Sequence, residues 1–188
     1  RYLQSTHCDL FFADAAILVE GVAESMLLPH FIRSKFPELY QRYITILGVN
    51  GRHAHRLSPL IEKLCLPTLV ITDLDPAEKE GYHKSVVPKR GEGQISGNYA
   101  IAKWLMKEKD IDKLVDYSED KKEFSFASPY RFSIRLAYQT PVKVDFEGEE
   151  KEAIPGTFED CLIYTNYDLF KKIKVTDSGN LVEQTHDL

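Results

Sequence analysis

The chain has 188 residues, a length that favours one domain with at most a small appendage. With 43% hydrophobic and 28% charged residues it has the balance of a soluble protein able to build a core, and no apolar run is long enough to span a membrane. The formal net charge of -5 argues against binding nucleic acid by bulk charge alone, because domains that do so are usually basic. Cys8, Cys65 and Cys161 are far apart, and each lies in or beside an apolar run. They read as buried free thiols, which with the lack of a signal peptide fits a reducing, cytoplasmic location. The first residue is Arg1, so the sequence reads as a piece of something longer.

Taken in order, Asp9-Leu10-Phe11-Phe12-Ala13-Asp14 is an apolar approach segment with no chemistry of its own. Ile17, Leu18 and Val19 read as a short buried strand that Gly21 breaks. Ser25 to Lys35 reads as a helix, with Met26, Leu27, His30, Phe31 and Ser34 at helical spacing, and Phe36-Pro37 ends it. Tyr43 to Val49 is a second strand, Asn50-Gly51 a turn, and Leu57 to Leu66 a second helix that tolerates Pro59 in its first turn. Pro67 stops that helix, and Thr68 to Thr72 is a third strand. Strand, helix, strand, helix, strand predicts an α/β fold with a parallel sheet and right-handed crossovers.

Residues 77 to 97 read as a long polar loop. Asn98 caps a helix predicted to run to about Lys109, with Ile101, Trp104, Leu105 and Glu108 on one face. Trp104 at this spacing reads as core. Ile111 to Tyr117 is a short helix, and Arg131 to Val144 is strand broken at Pro141. Gly148 to Glu152 is a charged turn, Thr157 to Phe170 a further helix, and the rest a polar tail.

Two strands end in carboxylates. Ile17-Leu18-Val19 runs into Glu20, with Glu24 following in the first helical turn, and Val70-Ile71-Thr72 runs into Asp73-Leu74-Asp75 before Pro76. Open α/β sheets place their ligands at the carboxyl ends of strands. Four carboxylates in one cleft repel unless a cation relieves them, and hard oxygen ligands suit magnesium, manganese or calcium. The bland alternatives are an acidic helix start for Glu20 and Glu24, and a turn signal for Asp73-Leu74-Asp75-Pro76.

These segments resemble the topoisomerase-primase (Toprim) domain, in which a glutamate follows the first strand and an Asp-x-Asp follows the third. Phe11-Phe12-Ala13-Asp14 leading into Ile17-Leu18-Val19-Glu20-Gly21, the second acid Glu24, and Ser96-Gly97-Asn98 opening a helix with Trp104-Leu105 resemble one branch more closely. That branch is the overcoming-lysogenization-defect (OLD) family of nucleases. Gly156-Thr157-Phe158-Glu159-Asp160 resembles the third acidic element of that family.

The resemblance implies a Toprim, Rossmann-like parallel sheet flanked by helices over residues 1–188. The core would fall at about 11–76 and 125–170, with a helical insertion at about 77–124 after the Asp-x-Asp strand. It implies a metal-dependent DNA endonuclease or nickase that hydrolyses phosphodiester bonds with two Mg2+ or Mn2+ ions, Ca2+ standing in without catalysis. Glu20 with Glu24 would hold one ion and Asp73 with Asp75 the other, and Glu159 and Asp160 would complete one shell. It also implies an ATPase domain in the same full-length chain, a homodimer, a helicase-like partner protein and a place in phage defence. No Walker A sequence appears, so that ATPase is not expected within these residues. The lysine that the family carries beyond its Toprim core is not placed before Leu188.

Arg52, His53, His55 and Arg56 follow the second strand on the same edge as the acids, and Lys84, Lys89 and Arg90 lie in the long loop. Both groups are candidates for contacting DNA phosphates. The rival readings are another Toprim enzyme (topoisomerase, primase or RNA maturation nuclease) and a non-catalytic scaffold.

Overall fold

A computed structural model describes residues 5–49, 54–80, 84–105, 107–146 and 148–171. After a 3-10 turn at Ser5–Phe11 come β1 (Ala15–Val19), α1 (Val22–Lys35), α2 (Pro37–Tyr40) and β2 (Ile44–Gly48). A second 3-10 turn, Ala54–Leu57, leads into α3 (Ser58–Leu64) and β3 (Thr68–Ile71). The short strands β4 (Pro76–Ala77) and β5 (Ile95–Ser96) precede α4 (Tyr99–Trp104) and α5 (Ile111–Val115). Then follow β6 (Glu123–Phe126), β7 (Phe132–Ala137), β8 (Val142–Phe146), β9 (Glu149–Ala153), α6 (Phe158–Thr165) and α7 (Tyr167–Phe170).

Among the described residues the main sheet has five strands in the order β2-β1-β3-β7-β6. β1 pairs in parallel with β2 and β3, and β3 in parallel with β7, while β6 closes the edge antiparallel to β7. This is the mostly parallel, helix-flanked sheet expected of a Rossmann-like Toprim fold. Alternation along β1 explains the layering. Ala16 and Leu18 join a large core with Ile61 of α3, Ile101 and Trp104 of α4, and Leu114 of α5. Ile17 and Val19 face the other way, onto Ile32 of α1. Apolar residues on both faces of a strand mark one covered on both sides. Among the described residues no helix is long and apolar enough to cross a membrane.

Several local expectations change. α1 starts at Val22 rather than Ser25, because Gly21 is extended (φ -111°, ψ 172°) and the chain turns into the helix at once. α4 stops at Trp104 instead of Lys109. Lys107 takes a left-handed φ of 69°, and its N–H returns to the carbonyl of Ala102 at 2.8 Å, closing the helix. The charged turn at 148–152 is largely strand. β9 pairs with β8, setting Lys143 opposite Glu152 and Val144 opposite Lys151, with Lys143 and Glu150 in an ion pair at 2.6 Å. The opposite charges around Lys143 favour pairing over a solvated turn and offset the like-charged Asp145 opposite Glu150. The predicted helix at 157–170 breaks at Asn166, between α6 and α7.

The long loop is tied down where it is described. β4 pairs with β5, Ala77 bridges to Ser85, and Gln94 Nε2 donates to the carbonyl of Val87 at 2.9 Å. The cysteines are free, as expected, but not buried: Cys8 is exposed and the other two are half-buried. Trp104 is in the core.

Candidate active site

β1 and β3 run side by side in parallel with Val19 opposite Ile71, so Glu20 and the Thr72-Asp73 pair leave the sheet at the same carboxyl edge. Contact is direct: Glu20 Oε2 accepts the backbone N–H of Asp73 at 2.9 Å. Asp75 turns back toward them with a left-handed φ of 47°, a conformation that non-glycine residues adopt at a cost of order 1–3 kcal/mol. Its carbonyl accepts the N–H of Gly97 at 2.8 Å, which ties this turn to the start of α4.

Asn98 is the joint between these parts. It is fully buried (0% exposed) and N-caps α4, its Oδ1 accepting from the N–H groups of Ala100 (2.9 Å) and Ile101 (3.4 Å). The other end of the amide faces the acids. Nδ2 lies 3.2 and 3.3 Å from the two oxygens of Glu20, 2.9 Å from Thr72 Oγ1, 3.0 Å from the carbonyl of Asp73 and 3.1 Å from Asp75 Oδ2.

Asp73 is held from two further directions. Its Oδ1 accepts from Gln139 Nε2 at 2.7 Å and from the backbone N–H of Phe158 at 3.0 Å. Gln139 lies just past β7, the neighbour of β3, and its Oε1 accepts the N–H of Leu74 at 2.7 Å. One side chain thus fixes both the carboxylate and the backbone of the acidic turn. Burial pushes the Asp73 carboxyl up to about 7, and the charges of Glu20, Glu24 and Asp75 add to the rise while the Gln139 hydrogen bond opposes it. A carboxyl raised this far, by burial and by like charges, marks a place where negative charge is concentrated.

Glu24, in the first turn of α1, is also buried (2% exposed). Its carboxylate folds back over Gly21, with Oε2 2.5 Å from the point where a Cβ on that residue would stand. Glycine here makes room for the carboxylate. The third acidic element reaches the cluster through its backbone, by the Phe158 N–H on Asp73. Glu159 follows directly and is exposed. Asp160 is engaged in a capping box instead: its Oδ2 accepts from the N–H groups of Gly156 and Thr157, both at 3.1 Å, and its own N–H donates to Thr157 Oγ1 at 3.2 Å.

The basic residues divide. Arg52 and His53 lie outside the described residues. Arg56 is exposed, and the half-buried ring of His55 lies 6.4 Å from that of Tyr99, the residue after Asn98. Lys84 and Lys89 are exposed. Arg90 is committed to ion pairs, with Glu152 at 2.6 Å and Asp116 at 2.9 Å, and so pins the loop to β9 and to the end of α5. A cavity of about 380 Å³, lined by Val144, Phe146, Tyr164 and Tyr167 with Arg90 and Glu152, contains none of the candidate site acids.

As a cation site the cluster has the right donors, all hard oxygens, and more acceptors than its amide donor can satisfy. Among the described residues, however, no three Asp, Glu, His or Cys side chains stand as a preformed cage. The Asn98 nitrogen lies between the oxygens, so side-chain rotation is needed before they close on one ion.

Residues 11–75 match the family described as overcoming lysogenization defect protein-like, TOPRIM domain. This stretch is similar to an OLD-like Toprim domain. It ends on Asp75 and so contains Glu20, Glu24 and the Asp73-Leu74-Asp75 turn. The whole chain is also similar, at 28% identity over 193 residues, to "Endonuclease GajA" of Bacillus cereus (strain HuB5-5). The chain spans only 26% of that relative's length. No solved structure matches.

Sequence reasoning missed Gln139 altogether and used Asn98 only as a cap. Nothing in the periodicity marks Gln139; only the pairing of β3 with β7 brings it to the acids. The signal at Asn98 was present, an asparagine directly before a helix, but an Asn cap leaves its amide nitrogen free to serve elsewhere.

Proposed function

We propose that this chain is the nuclease portion of an OLD-type protein and that it hydrolyses DNA phosphodiester bonds with the help of divalent metal. The observation that carries the reading is the convergence of Glu20, Asp73 and Asp75 at the adjoining ends of β1 and β3, around one buried amide. The Toprim match over those strands and the name of the endonuclease relative support it.

Glu20, Asp75 and Asp73 would hold the cation, with Glu24 behind them and Glu159 at the rim. A divalent ion bound there supplies an acidified water and neutralises the phosphate charge. The chain's own groups do the rest. Asn98 and Gln139 keep the acids converged without adding charge. Burial raises the Asp73 carboxyl to about 7 in the metal-free site, so taking up a cation would release its proton. In the reaction the oxygen of a water bonds to phosphorus, the ester P–O bond breaks, and the departing oxygen ends protonated. Arg56, Lys84 and Lys89 are left as candidates for phosphate contact. Arg90 is better explained as a strut.

An ATPase domain elsewhere in the full-length chain, self-association and a two-ion mechanism belong to the same proposal. The test is plasmid cleavage by the full-length protein and by this chain, with magnesium, manganese or chelator, beside Glu20→Gln. Cleavage that needs metal and is lost in Glu20→Gln supports the nuclease. Metal-independent cleavage, or a fully active Glu20→Gln, contradicts the site. Metal uptake with no cleavage by the full-length protein favours the scaffold reading.

A further inference from the structure

We infer that Asn98 is a positioning residue of the acid cluster, whose amide holds Glu20 and Asp75 converged for a divalent cation; this rests on the reading of those acids as a cation site. Its orientation is dictated by chemistry. Reversing the amide would set Oδ1 against the oxygens of Glu20 and Asp75 and Nδ2 against the N–H groups of Ala100 and Ile101, repulsive at both ends. The cap therefore aims Nδ2 at the acids. The helix behind the cap is itself fixed, since Ala100, Ile101 and Trp104 are core residues.

The donor count gives the second part of the argument. An amide nitrogen carries two hydrogens, and five oxygens lie within 3.3 Å of this one. Two are satisfied at a time. The rest stay close together because the partly positive nitrogen is between them, on the gap that separates β1 from the turn after β3. Glu20 and Asp75 come from segments 55 positions apart in the numbering, and the Asn98 amide touches both. Asn98 also joins them to α4, so the aim of the acids depends on the seating of that helix.

Two variants separate the cap from the clamp. Asn98→Ser keeps an N-cap acceptor but is too short to reach the acids; Asn98→Asp keeps the cap and replaces the donor with a carboxylate. Mn2+ binding is read by the loss of free-ion electron paramagnetic resonance signal, and thermal unfolding is followed with chelator and with Mn2+. For Asn98→Ser the expected result is a Tm in chelator within a few degrees of the parent and Mn2+ affinity at least about tenfold weaker, the scale of lost outer-sphere support. For Asn98→Asp the expected result is a lower Tm in chelator at neutral pH and a larger Mn2+-induced rise than in the parent. Mn2+ affinity unchanged in folded Asn98→Ser overturns the inference while leaving the cation site standing. If Asn98→Ser does not fold, a Mn2+-induced rise in Asn98→Asp no larger than the parent's overturns it. No Mn2+ uptake by the parent chain overturns both the cation reading and this inference.

Discussion

Gln139 offers a quantitative test of how the acidic turn is held. It is 7% exposed and makes two hydrogen bonds of 2.7 Å, to the Asp73 carboxylate and from the N–H of fully buried Leu74. Gln139→Met keeps the volume and removes both. An orphaned buried N–H costs about 1–3 kcal/mol, and a hydrogen bond to a charged group contributes about 1.5–3, so the loss should total about 2.5–6 kcal/mol. At about 2–4 °C per kcal/mol for a domain of this size, Tm should fall by at least about 5 °C.

Gln139→Glu is sharper. Its carbonyl-like oxygen still accepts from Leu74, but the second oxygen now faces Asp73 Oδ1 where an N–H stood. Two carboxylates at that separation share one proton, and raising one pKa by about two units costs roughly 3 kcal/mol. A carboxyl whose folded pKa is raised keeps its full stability below its unfolded pKa and loses it as pH climbs through the folded value. In chelator, Gln139→Glu should therefore lie within about 1 kcal/mol of wild type at pH 4.5 and about 3 kcal/mol below it at pH 8, by urea unfolding at each pH. A pH-independent difference, or a Gln139→Met protein as stable as wild type, would refute this reading of the joint.

Other predictions follow from single contacts. Gly21→Ala should push the Glu24 carboxylate out of its place and cost about 1–3 kcal/mol, read as a lower denaturation midpoint at unchanged slope; an unchanged midpoint would show that the carboxylate moves freely. The metal-free wild-type chain should lose stability as pH rises from about 4 to 7 through the raised pKa of Asp73, and Asp73→Asn should flatten that slope. A wild-type slope of the opposite sign between those pH values would contradict the burial argument. Arg90→Ala should expose the loop between residues 84 and 94 to limited proteolysis while changing global stability by no more than about 1 kcal/mol, since its ion pairs are largely exposed; an unchanged cleavage pattern would remove its part as a strut.

Much of the frame was legible because periodicity and punctuation report local physics. Gly21 and Pro67 marked the end of β1 and the start of β3 to within two residues, Pro37 the end of α1, and the apolar runs before Glu20 and Asp73 were strands because both faces of the sheet are covered. What escaped was set by distant partners. β9 is almost wholly polar and is a strand through its pairing with β8, where Lys143 lies opposite Glu152 and in an ion pair with Glu150. The early end of α4 depends on a left-handed residue at Lys107 that propensity does not mark. In the site, the acids announced themselves by type and position, while the side chains that aim them did not. Asn98 and Gln139 are uncharged, and they reach the acids from 23 or more positions away along the chain.

The most direct measurement is a crystal structure of this chain soaked in manganese, with the ion found by its anomalous signal. The account predicts an ion at the carboxyl edge of β1 and β3, bound by at least two of Glu20, Asp73 and Asp75 at about 2.0–2.6 Å. An empty cluster at saturating manganese, or an ion bound only elsewhere, would contradict it.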